Sequence, residues 1–435
     1  MEQKKIKVAM IGMGTVGSGV YEVIERLQKD KLAHKVGAAV EVAKILVRSP
    51  EKYQSQVAAH TQLTTDWQDI VSDESIDIVV EVMGGIEPAQ TYLTEALRAG
   101  KSIVSANKDL IAVHGSELEA LAKEMKKDFR YEASCLGAVP IVQPLKENMA
   151  ANNFSELVGI MNGTTNFILT NMSEKGLGFD EALAEATRLG YAEADPTADI
   201  EGLDAGRKVA ILANLAFHTK AVFDDVHVEG ITKISALDMK YADSINCVVK
   251  LLGIATKEED GLVLGVYPAI LAKSHPLASV GGSFNAVFVK GDAIDEAMFY
   301  GRGAGKLPTA SAVVGDVIDV CRDIMAGCEG RIGDYTYEAI PIKPLEKMES
   351  RFYVRLLIAD HPGVLEEVGG CFGRHGVSIA QALQKGSVHA GQAEFVIITH
   401  EVMEEKFNKA IEELAKAKSV GRVENVIRIY GGLPQ

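Results

Sequence analysis

Few short strings limit a fold as tightly as Gly12-Met13-Gly14-Thr15-Val16-Gly17, which lies between an apolar run, Ile6 to Ile11, and an amphipathic stretch from about Thr15 to Lys31. A buried strand that turns through three such glycines into a helix reads as the opening unit of a parallel α/β sheet. The first glycine makes the tight turn, the second lets backbone approach a pyrophosphate, and the third lets helix pack on strand. The helix start adds unpaired N–H groups and positive potential where phosphates would rest. Gly12, Gly14, Thr15, Val16 and Gly17 are therefore the expected dinucleotide-binding residues. A glycine-rich turn without a ligand is the alternative, and the elements that follow weigh against it.

Those elements alternate. Strands are expected at Val40–Val47, Ile76–Val82 and Lys101–Ser105, with helices near Pro88–Ala99 and Ser116–Lys127. This predicts a Rossmann-type, doubly wound parallel sheet with right-handed crossovers over residues 1–130. The texture then changes, with Gly and Asn clustered at 162–166, a helix from about Gly202 to Ala216, and strand-like runs at Leu262–Pro268 and Asn285–Lys290. Pro308-Thr309 opens a further helix to about Ala326, since proline is tolerated in a first turn. A charged connector at 334–350, with Pro341 and Pro344, marks a boundary. Beyond it, Phe352–Ala359, Gly363–His375, Val377–Leu383, Glu394–His400, Glu404–Ala417 and Val423–Tyr430 read as βαββαβ, a ferredoxin-like module. The expected organisation is a dinucleotide domain over 1–130 completed by 306–335, an α+β domain over 131–305, and the ferredoxin-like module over 350–435.

Charge and composition remove several function classes. With 45 basic and 60 acidic residues, a net charge of −15 speaks against a nucleic-acid partner. No apolar run approaches a membrane span. Met1-Glu2-Gln3-Lys4-Lys5 leads straight into a strand, so no signal peptide is expected. Cys135, Cys247, Cys321, Cys328 and Cys371 are scattered and form no CxxC, which reads as reduced and cytoplasmic and gives no Cys/His metal site. The ten histidines show no HExxH or triad-like context, and none is assigned to catalysis.

The remaining polar signals suit hydride chemistry. Arg48 follows the second strand, where an acidic residue would bind a ribose 2′-hydroxyl; with Lys52 it offers cations for a 2′-phosphate, which favours NADP over NAD. The other reading of Arg48 is a solvated surface side chain. Ser105-Ala106-Asn107-Lys108 follows a strand directly, so Lys108 is expected in the cleft beyond the strand ends; the other reading is an ordinary surface lysine. The densest polar cluster runs from Gly190 through Tyr191, Glu193, Asp195, Asp199 and Asp204 to Lys208. Asp204 and Lys208 are spaced i,i+4 on one helix face among Val209, Ile211 and Leu212. Such a pair is either a structural ion pair or a proton donor. Reduction of a carbonyl needs a proton for the developing alkoxide, and a partly desolvated lysine can supply it.

With these motifs in hand, the chain resembles the monofunctional homoserine dehydrogenases that carry a C-terminal ACT domain. The matching stretches are GMGTVGSGV (12–20), SANKDLIA (105–112), NGTTNFIL (162–169), LGYAEADPTADIEGLDAGRK (189–208), LPTASAVVGD (307–316) and the PGVL turn (362–365). The resemblance implies reversible, NAD(P)-dependent interconversion of L-homoserine and L-aspartate 4-semialdehyde in threonine, methionine and isoleucine biosynthesis. It further implies Lys208 as proton donor, Asp204 as its carboxylate partner, and Lys108 as a second catalytic lysine between nicotinamide and substrate. Glu193 would hold the substrate amino group, with Thr164, Asn162, Tyr191 and Asp199 lining the pocket. Ser105, Asn107, Gly303 and Gly305 would join the cofactor site.

The family also carries a monovalent cation, sodium, whose implied ligands here are Glu132 and the carbonyls of Cys135, Gly137 and Val139. Cys135, Leu136 and Val139 depart from the usual Val- and Gly-rich pattern, a change that carbonyl ligands tolerate. Threonine feedback through the ACT module is implied, although Gly376-Val377-Ser378-Ile379 lacks the Asn that many such domains carry there. The alternative for that module is packing or dimerisation without ligand; the family is usually dimeric or tetrameric. Two competing functions stand beside this one: a dehydrogenase for a different amino-acid semialdehyde, and a non-catalytic sensor of nucleotide and amino acid.

Overall fold

In the computed structural model, the described residues are 4–30, 32–332, 336–384 and 391–433. Residue 31 of the first expected helix, and 334 and 335 of the expected connector, lie outside them. The chain forms two compact units, one of residues 1–157, 210–223 and 285–340, the other of 158–209, 224–284 and 341–435. No described helix is long and apolar enough to cross a membrane.

The first unit is built on β1 (Lys5–Ile11), where Val8, Ala9 and Met10 are all buried, as a central parallel strand covered on both faces requires. There follow α1 (Thr15–Asp30), α2 (Leu32–Val36), β2 (Ala39–Leu46), β3 (Gln62–Thr64), α3 (Gln68–Val71), β4 (Ile78–Glu81), α4 (Ala89–Arg98), β5 (Ser102–Ser105), α5 (Lys108–Met125) and β6 (Phe129–Arg130). The strands pair in parallel in the order β3-β2-β1-β4-β5-β6. The order reverses between β1 and β4, and ligands of such sheets bind in the crevice outside the strand ends at that point.

The fifth helix starts at Lys108 rather than at the expected Ser116. Asn107 explains the difference: its side chain accepts the Leu110 N–H and caps the helix eight residues early. The helix expected to open at Pro308 starts at Lys306, leaving the proline in its first turn. It packs on α1, where a Cβ on Gly19 would lie 2.7 Å from the Lys306 carbonyl oxygen and 3.1 Å from the Ala310 Cβ. Close approach therefore requires Gly19. The strands Phe154–Ile160 and Asp295–Arg302 are additions to what the sequence suggested.

In the second unit, Cys247–Glu258 and Gly261–Ala272 form a long antiparallel pair, of which only the second was foreseen, and only in part. The C-terminal module is βαββαβ as expected: strands Glu349–Ala359, Ile379–Gln384, Gln392–Thr399 and Val420–Tyr430, with helices Val364–Arg374 and Glu404–Leu414. Its strands are antiparallel, with Glu349–Ala359 between Val420–Tyr430 and Gln392–Thr399 and with Ile379–Gln384 outermost. The helix-covered face is apolar, with Phe352 and Phe407 stacked 3.6 Å apart at its centre. The opposite face carries Arg355, whose Nε donates to Asp238 Oδ1 at 2.7 Å, while Tyr353 and Asn425 donate to the same carboxylate. Asp238 lies in the helix Ala236–Ser244, capped by Ser235. The module is also joined to the unit by backbone, because Ala269, Ile270 and Leu271 pair in parallel with Arg428, Ile429 and Tyr430.

Candidate functional site

The crevice of the first unit opens into a cavity of about 580 Å³ whose lining includes Gly12, Gly14, Arg48, Ser49, Lys52 and Met83. Gly12 has φ +103°, and a Cβ there would lie 3.0 Å from the Val82 carbonyl oxygen. A Cβ on Gly17 would collide with the Gly12 carbonyl, so α1 can start this close to β1 only with glycine. Nothing stands within 4 Å of a Cβ on Gly14, so the backbone at the helix N-terminus faces open space. This is a cradle of the right chemistry for a pyrophosphate, with exposed Thr15 and half-buried Val16 at the first turn. Arg48 and Lys52 are exposed at the cavity and form no ion pair with any described residue, which leaves two uncommitted cations beyond β2.

The other side of the crevice is held by a carboxylate that sequence reasoning passed over. Glu81 ends β4 and is 0 % exposed. Its Oε1 accepts from the backbone of Met83 at 2.9 Å and of Gly84 at 3.2 Å, and its Oε2 accepts the Ser105 hydroxyl at 2.7 Å. Asn107 Nδ2 lies 3.5 Å from Oε1 and donates to the Gly85 carbonyl at 2.6 Å. Burial pushes the carboxyl above its usual range, and the Ser105 and backbone donors oppose that. Glu81 thus ties the 83–85 turn to the 105–107 turn, immediately before half-buried Lys108 at the start of α5. A single Glu closing an apolar run carries no signal of this in sequence.

Gly303 and Gly305 precede the Lys306–Ala326 helix, and Gly305, at φ +123°, is its N-cap. Since Lys306 abuts Gly19, this turn lies beside the second turn of α1. Gly303 is pressed against the side-chain amide of Asn285, which is buried with no hydrogen-bond partner on either atom among the described residues.

The expected cation segment is also in this unit. Glu132 is buried and accepts three backbone N–H groups, those of Ile141 at 2.7 Å and Val142 at 2.9 Å on Oε1 and that of Gln143 at 2.7 Å on Oε2. Leu136 and Gly137 both have positive φ, +57° and +55°. Among the described residues the carbonyls of Gly137 and Val139 accept no hydrogen bond. Asp316, nearby, accepts the Glu132 N–H and the Gln143 side chain, and burial together with the Glu132 charge pushes it up to about 8. A buried pair of carboxyl groups beside unfilled carbonyls suits a hard monovalent cation, with Cys135 completing the loop; the Glu132 oxygens are mostly filled by N–H groups, so the carbonyls would carry the site.

The second unit gathers most of the residues expected around the substrate. Lys208 and Asp204 sit one turn apart on the helix Leu203–Phe217 and are 7 % and 4 % exposed. Lys208 Nζ donates to Asp204 Oδ2 at 2.6 Å and to the Met161 carbonyl at 2.8 Å, which among the described residues leaves one of its three hydrogens uncommitted. Asn162 caps the helix Gly163–Lys175 through Oδ1, and its Nδ2 donates to Asp199 at 2.7 Å and to Asp204 at 2.9 Å. Thr164 donates to the Tyr191 carbonyl at 2.7 Å, and the exposed Tyr191 ring lies 4.6 Å from Phe167. Glu193 is exposed and makes no hydrogen bond or ion pair with any described residue. Lys250, which the motifs did not single out, is buried and donates to Asn166 and the Val280 carbonyl; burial lowers it to about 8 against the pull of Glu174.

A parallel sheet in this strand order, a glycine cradle beside cations that pair with no described residue, and a buried lysine–aspartate pair with a hydrogen to give define an NAD(P)-dependent oxidoreductase, here followed by a ferredoxin-like module. Family models agree: residues 12–132 match the NAD-binding domain of homoserine dehydrogenase, 140–318 match homoserine dehydrogenase and 352–418 match the ACT domain. The chain belongs to the homoserine dehydrogenase family. It is 43 % identical to a homoserine dehydrogenase of Synechocystis and 41 % identical to that of Bacillus subtilis, in each case over 98 % of this chain and 99 % of the relative. The crystal structure of a homoserine dehydrogenase from Thiobacillus denitrificans matches with a TM-score of 0.92 at 38 % identity, covering 98 % of this chain and 99 % of that one. A hyperthermophilic archaeal homoserine dehydrogenase mutant in complex with NADPH matches 73 % of this chain and 97 % of its own, at 29 % identity and a TM-score of 0.63.

Proposed function

We propose that the chain interconverts L-homoserine and L-aspartate 4-semialdehyde with Lys208 as the proton-transferring group. The observation that carries this is the Lys208–Asp204 pair, a buried ammonium held at 2.6 Å from its carboxylate with one N–H left over. The bound nicotinamide supplies or accepts the hydride. In reduction, Lys208 gives a proton to the oxygen of the semialdehyde as its carbonyl carbon gains hydride; in oxidation, Lys208 takes the hydroxyl proton. Asp204 keeps the ammonium in place, and Asn162, held between Asp199 and Asp204, fixes the carboxylate. Glu193, unpaired and exposed, takes the substrate ammonium, and Thr164 and Tyr191 border the pocket. Lys108, at the N-terminus of α5, is the second catalytic lysine, set by Ser105 and Asn107.

The cofactor we assign is NADP, on the two unpaired cations Arg48 and Lys52 beyond β2. Gly12, Gly14, Thr15, Val16 and Gly17 cradle its pyrophosphate, with Gly303 and Gly305 alongside. Sodium is held by Glu132 and the carbonyls of Cys135, Gly137 and Val139, where it would neutralise buried charge. The ACT module takes L-threonine as effector, and the assembly is a homodimer or homotetramer. Five cysteines, none of them in a disulfide, suit a reducing, cytoplasmic setting. The test is NADP⁺ reduction by purified protein with L-homoserine at alkaline pH, against a panel of other amino-acid alcohols. Turnover confined to homoserine is the expected result. No homoserine-dependent reduction with either nucleotide refutes the reading, and preference for another alcohol replaces it.

A further inference from the structure

The adenosine half of a dinucleotide lies over the β1–β3 side of such a sheet, where Arg48 and Lys52 stand, so the nicotinamide half falls over the ends of β4 and β5. Glu81 and Ser105 are the last residues of those two strands, and the residues that follow Glu81, Val82 and Met83, line the dinucleotide cavity. A carboxyl at that position is unusual in what it lacks: Glu81 is fully buried and pairs with no lysine or arginine among the described residues. Its partners are hydrogen-bond donors instead, two backbone N–H groups and the Ser105 hydroxyl, with the Asn107 amide further off. Burial raises this carboxyl; the oriented N–H and O–H groups work against that and favour its ionised form, but they leave its charge uncompensated.

We propose that Glu81 is the buried counter-charge of the oxidised nicotinamide, so that the crevice holds NADP⁺ more tightly, relative to NADPH, than an uncharged crevice would. Oxidised nicotinamide is a cation and reduced nicotinamide is neutral, so only the first is attracted. Two full charges about 10 Å apart at an effective dielectric constant of about 20 change a binding ratio roughly tenfold. For a two-electron couple, tenfold tighter binding of the oxidised form lowers the bound potential by about 30 mV. Bound NADPH is then the stronger hydride donor. When its hydride goes to the semialdehyde carbon and the proton to the oxygen, the cation left behind gains the attraction of Glu81. The proposal rests on the reading of the crevice as the NAD(P) site.

The decisive variant is Glu81→Gln, which is isosteric. The Ser105 hydroxyl can reverse to accept from the new amide, so shape is kept and charge removed. Dissociation constants for NADPH, from its fluorescence, and for NADP⁺, by competition, are measured for wild type, Glu81→Gln and the charge-retaining Glu81→Asp. The expected result is a roughly tenfold fall in the preference for NADP⁺ over NADPH in Glu81→Gln, with the ratio in Glu81→Asp within about twofold of wild type. An unchanged ratio in a Glu81→Gln protein that still binds NADPH overturns the proposal. So does a Glu81→Asp protein whose ratio falls as far as that of Glu81→Gln, since aspartate keeps the charge. If wild type binds neither nucleotide, the cofactor reading itself has failed.

Discussion

Replacing Lys208 by Met separates what the buried pair does for the fold from what it does for the reaction. Lys208 and Asp204 are both under one-tenth exposed, and removing the ammonium at 2.6 Å takes the lysine counter-charge from a buried Asp204 while the Asn162 amide stays at 2.9 Å. Removing one partner of such a pair strands a buried charge and costs about 3–5 kcal/mol. Loss of the proton donor costs about 10²–10⁴-fold in kcat. Restoring neutrality with Asp204→Leu on top of Lys208→Met removes the stranded charge, so most of the lost stability returns while activity does not. Thermal melting and steady-state NADP⁺ reduction with homoserine, on wild type, the single variant and the double variant, read the two effects apart. A Lys208→Met enzyme that melts early but keeps kcat within about threefold shows that Lys208 is an ion-pair residue and that the proton comes from elsewhere. A double variant as unstable as the single one contradicts the claim that stranded charge is the cost.

Three further outcomes follow from geometry already described. Gly17→Ala forces a Cβ onto the Gly12 carbonyl, and the displacement of α1 from its strand is expected to weaken NADPH binding by about 1–3 kcal/mol in a fluorescence titration. Arg48→Ala should raise KM for NADP by roughly ten- to a hundredfold, the worth of a charge-assisted hydrogen bond, and leave KM for NAD unchanged; an equal effect on both removes Arg48 from 2′-phosphate recognition. Arg355→Leu should destabilise the protein by about 3–5 kcal/mol by stranding Asp238. Burial raises the Asp238 carboxyl, but Arg355 and its other partners outweigh that and hold it below the usual range. The pair's contribution is therefore present above the unfolded carboxylate pKa of about 4 and is lost as pH falls through the depressed folded value. Wild-type melting temperature should drop across that window while that of Arg355→Leu stays flatter.

What the sequence disclosed follows the range of each signal. The glycine turn, the strands around it and the βαββαβ module are written in neighbouring residues, and the structure reproduces them to within a few positions. Asp204 and Lys208 were legible because an i,i+4 spacing on an apolar helix places both on one buried face. The start of α5 was misplaced because Asn107 looks like part of a loop until its side chain is seen on the Leu110 N–H. Cys247–Glu258 was missed for a different reason. It is buried almost continuously from Cys247 to Ala255, so it lacks alternation, and Lys250 interrupts the apolar run. Glu81 and Asp238 were illegible in principle. Their partners lie 24 residues away at Ser105 and 117 away at Arg355, and no local pattern selects those pairs.

The parallel pairing of Ala269–Leu271 with Arg428–Tyr430 changes what kind of appendage the C-terminal module is. A sensor on a linker can be cut away and leave its enzyme whole. Here, trimming the chain before residue 420 would strip one flank from a strand whose Ile270 and Leu271 are wholly enclosed, and would bare their main-chain N–H and C=O groups to any passing strand. The module is thus also a lid on a sticky seam, and any twist it undergoes arrives in the neighbouring sheet through rigid backbone rather than through slack.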